Sequence, residues 1–263
     1  MTDKKIGKNI EESEGKRQDI IAGRNPVLEA LKSGRPIDCL YVSRGQHAGS
    51  LSAIAAKAKA MGITVKECDP KKLDFMCSGA VHQGVAAVAA VKDYCTVEDI
   101  LNTAKEKNEP PFIIILDEIE DPHNLGAIIR TAECAGVHGI IIPQRRSAGL
   151  TYTVGKSSAG AVEHMHIAKV TNLIHEIDKL KKQGVWVYCA DMDGTMWCGQ
   201  DLTGAVALVI GNEGKGVGRL IKEKCDGVLS LPLMGRINSL NASVAAGIIT
   251  YEITRQRNGI KSK

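Results

Sequence analysis

A chain of 263 residues, 44% apolar and 24% charged, holds enough material for one large domain or two of ordinary size. Aromatic residues make up only 3%, so the core must be built from Ile, Val, Leu and Ala. No apolar run approaches the ~20 residues of a membrane-spanning helix, which excludes a helical membrane protein. The eight cysteines contain no C-x-x-C pair and no close Cys/His cluster. No metal site is expected, and in a chain of this length they read as reduced thiols of a cytoplasmic protein. The formal charge of +4 is unevenly spread, its excess lying in the front third and the last nine residues, among them Arg255, Arg257, Lys261 and Lys263. Basic ends on a near-neutral body suit a nucleic acid better than a membrane surface, although solvated surface charge gives the same counts.

In chain order, residues 1–18 are charged and without an apolar stretch, and read as a disordered leader rather than a secretory signal. Residues 19–95 read as a small α/β domain. GRNPVLEAL opens a helix with Asn25 as N-cap and Pro26 at the first helical position. A strand follows over 39–43, a helix over 51–61, and strands over 64–67 and 85–91. The polar stretch 96–111 ends in Pro110-Pro111 and reads as a linker. Beyond it, residues 112–263 alternate strands (112–116, 139–143, 185–190, 205–210, 227–232) with helices (124–135, 171–183, 219–225, 239–255). Continuously apolar strands separated by helices predict a parallel sheet covered on both faces.

Ligands of open parallel sheets bind beyond the carboxyl ends of the strands, and three segments lie there. In 116–137, Asn124 stands at a helix start and Arg130 six residues on. A surface or salt-bridged Arg is the plain reading, but Ile128, Ile129 and Ala132 leave its helix sparsely polar, so Arg130 needs a partner. In 208–217 an apolar strand feeds a loop with glycines at 211, 214 and 216 and Glu213 among them. Neither the P-loop nor the dinucleotide spacing is met, and alone the segment reads as a tight turn. In 231–252, Ser239 or Asn238 is positioned to cap a helix on which Leu240, Val244, Ile248 and Tyr251 form a predicted core-facing stripe. Ala242, Ala245, Ala246 and Gly247 thin the other side and suit close packing of two helices, hence a homodimer. Capping explains one polar residue here, not Asn238, Ser239, Asn241 and Ser243 together.

Taken together, NLGAIIR (124–130), IGNEGKGV (210–217) and SLNASVAAG (239–247) resemble, in order and approximate spacing, the three motifs of the SpoU (TrmH) branch of the SPOUT RNA methyltransferases. The resemblance spans about 112–254. The front region, with GRNPVLEAL and HQGVAA (82–87), resembles the substrate-binding domain of the RlmB-like ribosomal RNA enzymes, which has the fold of a small ribosomal-protein-type RNA binder. What this implies is an α/β enzyme with a trefoil-knotted, parallel-sheet C-terminal domain, working as a homodimer. The methyl donor would be S-adenosylmethionine and the acceptor the ribose 2′-hydroxyl of a guanosine in 23S ribosomal RNA. Gly211, Leu231 and Leu240 would line the cofactor pocket. Family accounts make the Arg at position 130 the base, yet a guanidinium stays protonated in proteins. We read Arg130 instead as gripping the neighbouring phosphate and stabilising oxyanion charge, with Asn124, Glu213, Ser239 and Asn241 orienting it and the ribose. Arg24, Arg35, Arg44, Lys71 and Lys72 would give the front domain its RNA affinity. The alternatives are a transfer-RNA ribose methyltransferase, an antibiotic-resistance ribosomal RNA methylase or, in another class, a non-catalytic RNA-binding protein on the same fold. A nicotinamide oxidoreductase would need a dinucleotide fingerprint that the chain does not contain.

Overall fold

The computed structural model describes residues 20–45, 49–212, 214–237 and 239–260. The 1–18 leader, Glu213, Asn238, Lys261 and Lys263 therefore lie outside the described residues. The chain divides into two compact units, one of residues 1–93 with 149–153, the other of 94–148 with 154–263.

In the first unit β1 (Ile20–Ala22), β2 (Ile37–Ser43), β3 (Thr64–Cys68) and β4 (Val85–Ala89) form a sheet in the order β1-β4-β2-β3. Only β2 and β3 are parallel. Helices α1 (Arg24–Lys32) and α2 (Ser50–Ala60) bury Val27, Leu31, Leu51 and Ile54 against Leu40, Val85 and Ala87 of the sheet. The shorter α3 (Pro70–Cys77) covers the other face with Leu73 and Cys77. The expected cap at Asn25 is wrong by two residues. Gly23 is the N-cap, with φ of 96°, so Asn25 and Pro26 fall inside the first turn. Proline is tolerated there because first-turn amides have no intrahelical acceptor.

The second unit begins with a correction. The expected linker 96–111 contains α4 (Val97–Glu106), opened by a capping box between Thr96 and Asp99. Ile100 and Ala104 are fully buried. Gly139 makes room for Ile100: a Cβ there would lie 2.5 Å from Ile100 Cγ1. The remaining elements are β5 (Phe112–Leu116), α5 (Pro122–Cys134), β6 (Gly139–Pro143), α6 (Tyr152–Ser157), β7 (Ile167–Val170) and α7 (Leu173–Lys182). They are followed by β8 (Trp186–Met196), β9 (Val206–Ile210), α8 (Arg219–Lys222), β10 (Gly227–Ser230) and α9 (Ala242–Arg257). Six strands pair in the order β10-β8-β9-β5-β6-β7, every pair parallel. All five residues of β5 and of β9 are buried, as the continuous apolar runs required.

Two basic residues of the C-terminal excess are structural rather than part of a free tail. Arg255 forms a two-nitrogen fork with the carboxylate of Glu252, which is 8% exposed. Arg257 donates to the carbonyls of Pro110, Pro111 and Gly204 and lies 5.3 Å from the centre of the Phe112 ring.

Candidate active site at the carboxyl edge of the parallel sheet

The glycine loop after β9 is pinned from β5. Asp117 Oδ2 accepts the Gly218 N–H at 2.8 Å, and Asn212 Nδ2 donates to the Glu118 carbonyl at 3.1 Å. Asp117 is buried, and burial pushes its carboxyl above the ordinary aspartate range. Gly216 has φ of 68°, and its N–H closes the turn onto the Asn212 carbonyl at 2.7 Å. Gly211 has no room for a side chain, because a Cβ would lie 2.2 Å from the Gly216 carbonyl carbon. The tight turn read from the sequence is real, and it forms one wall of a pocket.

Helix α5 starts at Pro122 with Asp121 as its cap, so Asn124 sits in the first turn, buried, rather than at the boundary. The cap of α9 is Asn241, not Ser239 or Asn238. Its Oδ1 accepts from the N–H groups of Ser243 and Val244. Asn241 Nδ2 then donates to Asn124 Oδ1 at 3.0 Å, joining the first and third motifs through side chains 117 residues apart. Further along, Gly247 faces Thr131, and Thr254 Oγ1 donates to the Ala135 carbonyl at 2.9 Å. Starts meet starts and ends meet ends, so α5 and α9 run parallel, with both positive dipole ends beside the same edge. Ser239 and Asn241 are exposed.

Arg130 is exposed and has no hydrogen-bond or ion-pair partner among the described residues. The expectation that it needed a partner fails for a simple reason. Ile128 and Ile129 take the buried positions of α5 and turn Arg130 outwards.

The pocket holds about 350 Å³. Gly211, Leu231 and Leu240, the three proposed cofactor residues, all line it, as does Ser239. Leu229 and Ile249 add to an apolar wall. Asp191 and Lys222, which no motif signalled, line it as well, paired at 3.0 Å. Burial raises the Asp191 carboxyl, but the Lys222 hydrogen bond and charge, with backbone donors, bring it below the usual range.

The predicted stripe on α9 is inverted. Val244, Ile248 and Tyr251 are 49%, 40% and 50% exposed, and Leu240 is 38% exposed. The core takes Ala242, Ala246, Ile249 and Ile253 instead.

In the first unit, four of the five proposed RNA contacts share one end of the sheet. Arg24 Nε donates to the Gln83 carbonyl and Nη1 to Ser50 Oγ, tying together the GRNPV and HQG segments. This knot of bonds borders an open groove of about 720 Å³, lined also by Asn25, His82 and Gly84. Arg44 follows β2 and bonds through its N–H to the Cys68 carbonyl, next to exposed Lys71 and Lys72. Arg35 instead precedes β2, at the opposite end of a seven-residue strand, roughly 23 Å away. Tyr41 carries no signal in the sequence, yet the Lys72 and Lys66 ammonium groups lie 5.1 and 6.0 Å from its ring centre. Burial pushes its phenol up to about 12.

Comparison with known proteins places these observations. Residues 111–251 match the SpoU rRNA methylase family, and residues 20–95 match the family described as RNA 2′-O ribose methyltransferase substrate binding. A Bacillus subtilis protein named as a TrmH family tRNA/rRNA methyltransferase, YacO, is 47% identical over 93% of this chain and 98% of its own. An rRNA methyltransferase of Sinorhizobium meliloti, solved with AdoMet bound, superposes with a TM-score of 0.57 at 26% identity, over 93% of this chain and 88% of that one. A TrmH/SpoU tRNA modifying enzyme of A. aeolicus gives 0.53 at 28% identity, over 61% of this chain and 85% of that one. With its family match covering more than half of its length and its parallel sheet and motif loops as described, the chain belongs to the SpoU rRNA methylase family and is an RNA methyltransferase.

Proposed function

We propose that the protein transfers a methyl group from S-adenosylmethionine to the ribose 2′-hydroxyl of a guanosine in 23S ribosomal RNA. The observation that carries this reading is the side-chain link between Asn124 and Asn241 at the rim of a pocket lined by Gly211, Leu231 and Leu240. The residues fit the cofactor: the volume is that of a small-molecule site, with an apolar wall for a flat ring and a few polar groups. When bound, the cofactor supplies a sulfonium methyl whose C–S bond breaks as the C–O bond to ribose forms, the hydroxyl proton passing to solvent and S-adenosylhomocysteine leaving. Arg130, exposed and unpaired among the described residues, grips the adjacent phosphate with two nitrogens and stabilises charge growing on the 2′-oxygen. Asn241, fixed as a helix cap, locks the Asn124 amide, and the two present a rigid polar rim to the ribose. Ser239 borders the same rim, and Glu213 belongs to this group by its place in the second motif.

Ribosomal RNA is favoured over transfer RNA by coverage. The neighbour named for rRNA matches both units of this chain, whereas the one named for tRNA matches 61% of it. In the first unit, Arg24, Arg44, Lys71 and Lys72 form the RNA-facing end, and Arg35 takes no part. A second copy of the chain covers the exposed stripe of Val244, Ile248 and Tyr251, since an apolar helix face left in water marks an interface. We also read the chain after β10 as threaded into the knot the family resemblance implies.

The test is calorimetric titration with S-adenosylmethionine, followed by single-turnover methyl transfer to 23S ribosomal RNA and to transfer RNA, with the modified ribose mapped. Transfer to transfer RNA alone selects the alternative substrate. Cofactor binding without transfer to either RNA removes the proposed activity. Sedimentation of Ile248→Lys against the parent tests the dimer: a parent that stays monomeric at micromolar concentration removes it.

A further inference from the structure

The ion pair Asp191–Lys222 stands in the pocket wall without a role in the chemistry. Strand β8 pairs with β9 as far as Cys189, so Asp191 lies just past the point where the neighbouring ladder stops. The side chains of Lys222 and Asp191 are 30% and 18% exposed, too enclosed for an ordinary surface pair. A surface pair contributes little, and an enclosed charge persists where its hydrogen bonds are met. A carboxylate accepts about four hydrogen bonds. Lys222 Nζ approaches Oδ2 at 3.0 Å, the Asp193 N–H reaches Oδ1 only at 3.4 Å, and the Met192 N–H is a third donor. The carboxylate lies against the glycine loop, 3.7 Å from where a Cβ on Gly216 would sit, and Asp191 lines the pocket. Acceptor capacity is thus left on the pocket side.

Strand order says which part of a ligand meets it. Asn124, at the reacting rim, is carried by the helix that follows β5, whereas Asp191 is on β8, with β9 between them. Two strand spacings, roughly 10 Å, separate β8 from the strand that leads into the Asn124 helix. The transferable methyl belongs at the Asn124–Asn241 rim, and of the two arms that leave the sulfonium, methionine and adenosine, we place the adenosine towards Asp191, because a carboxylate repels the methionine carboxylate and accepts from hydroxyls. That end carries adjacent hydroxyl donors on the ribose. A carboxylate is the acceptor used for ribose hydroxyls at strand ends of other nucleotide-binding sheets.

We propose that Asp191, held in place by Lys222, accepts hydrogen bonds from the ribose hydroxyls of the cofactor's adenosine and so positions the cofactor and selects for a ribonucleoside. This rests on the S-adenosylmethionine reading above. Asp191 is a positioning residue, and Lys222 keeps it ionised and aimed.

The experiment is calorimetric binding to the full-length protein, without RNA, of S-adenosylhomocysteine and of its 2′-deoxyribose analogue. The parent prefers the ribose form by about 10- to 100-fold, the scale of a charge-assisted hydrogen bond. Asp191→Ala loses most of that preference by weakening only the ribose ligand. Lys222→Gln, which keeps the carboxylate but frees it, narrows the preference several-fold. Thermal melts without ligand check that each variant folds; if Asp191→Ala does not, Lys222→Gln decides. An undiminished preference in the folded variants overturns the assignment while leaving the cofactor reading intact. A parent that binds neither S-adenosylmethionine nor S-adenosylhomocysteine overturns the cofactor reading and this inference together.

Discussion

The two units carry their functional residues in different ways. In the second, the candidate site is set by buried or bonded groups: Asp117 holds the glycine loop, and the Asn241 cap holds Asn124. In the first, Arg44, Lys71 and Lys72 are exposed charges outside the buried core. A site that performs chemistry needs fixed angles, whereas attraction to phosphate needs only charge on the right side of the domain. Substitutions in the second unit should therefore change rate or fold, and those in the first should change RNA affinity and its salt dependence.

The largest effect is expected at Arg130. Arg130→Ala should lower the single-turnover methylation rate about 100- to 1,000-fold, the usual loss for a transition-state donor. Cofactor affinity by calorimetry should stay nearly unchanged. Arg130→Lys keeps the charge without the planar fork and should recover little. Loss of cofactor binding in Arg130→Ala would make its role structural and erase the contrast between rate and fold within this unit.

Next in size is Asn241→Ala, which removes a helix cap and the link to Asn124 at once. Loss of the cap alone costs about 0.5–2 kcal/mol, so the melting temperature should fall along with turnover. A variant with an unchanged melting temperature would show that the rim is not held by the cap.

In the first unit, replacing Arg44, Lys71 and Lys72 together with Ala should weaken RNA binding and flatten its salt dependence. The logarithmic slope should drop by roughly 0.7–0.9 for each phosphate that the protein no longer neutralises. The methylation rate at saturating RNA should hold. Arg35→Ala, at the far end of β2, should leave the slope where it was. Filter-binding titrations from low to moderate salt check both, and an equal effect from Arg35 would dissolve the distinction between the two ends of the sheet.

The smallest effect concerns pH. His138 is buried, with Nδ1 accepting the Phe112 N–H at 2.9 Å and Nε2 lying 3.1 Å from Glu109. Burial holds its pKa below the ordinary histidine value, although Glu109 works in the other direction. The unfolded chain therefore binds a proton that the folded chain resists. Stability from this site is present above the unfolded pKa of about 6.5 and declines as pH falls below it. Urea titrations from pH 8 to pH 5 should show that decline, and His138→Asn should lessen it.

Much of the second unit is legible in the sequence because each of its central strands is buried on both faces and so reads as an unbroken apolar run. β7 escapes that reading because four residues ending in half-buried Lys169 and Val170 give no such run. The linker reading of 96–111 fails because α4 spends only three residues on the core, Val97, Ile100 and Ala104, and leaves its solvent side acidic. Arg130, Asn124 and Asn241 are visible as motif residues. Asp191, Lys222 and Tyr41 are not, since an isolated charge or ring on a strand or a short helix looks the same with or without a partner.

Helix α9 separates what sequence decides from what only packing decides. Its residues determined that a helix would run here, read as 239–255 and observed over 242–257, and that two apolar rows would run along it, because that periodicity is local. They did not determine which row faces inwards. Both Leu240-Val244-Ile248-Tyr251 and Ala242-Ala246-Ile249-Ile253 are apolar, and the larger side chains suggested the first. The tertiary structure chose the second, because α9 lies parallel against α5 and Asn241 must reach Asn124. Small residues allow that approach, and the bulky row is turned out to meet something else. The three motif loops share this history: each is readable alone as a turn or a cap, and only the closing of the parallel sheet brings the second and third around one pocket and bonds the first to the third.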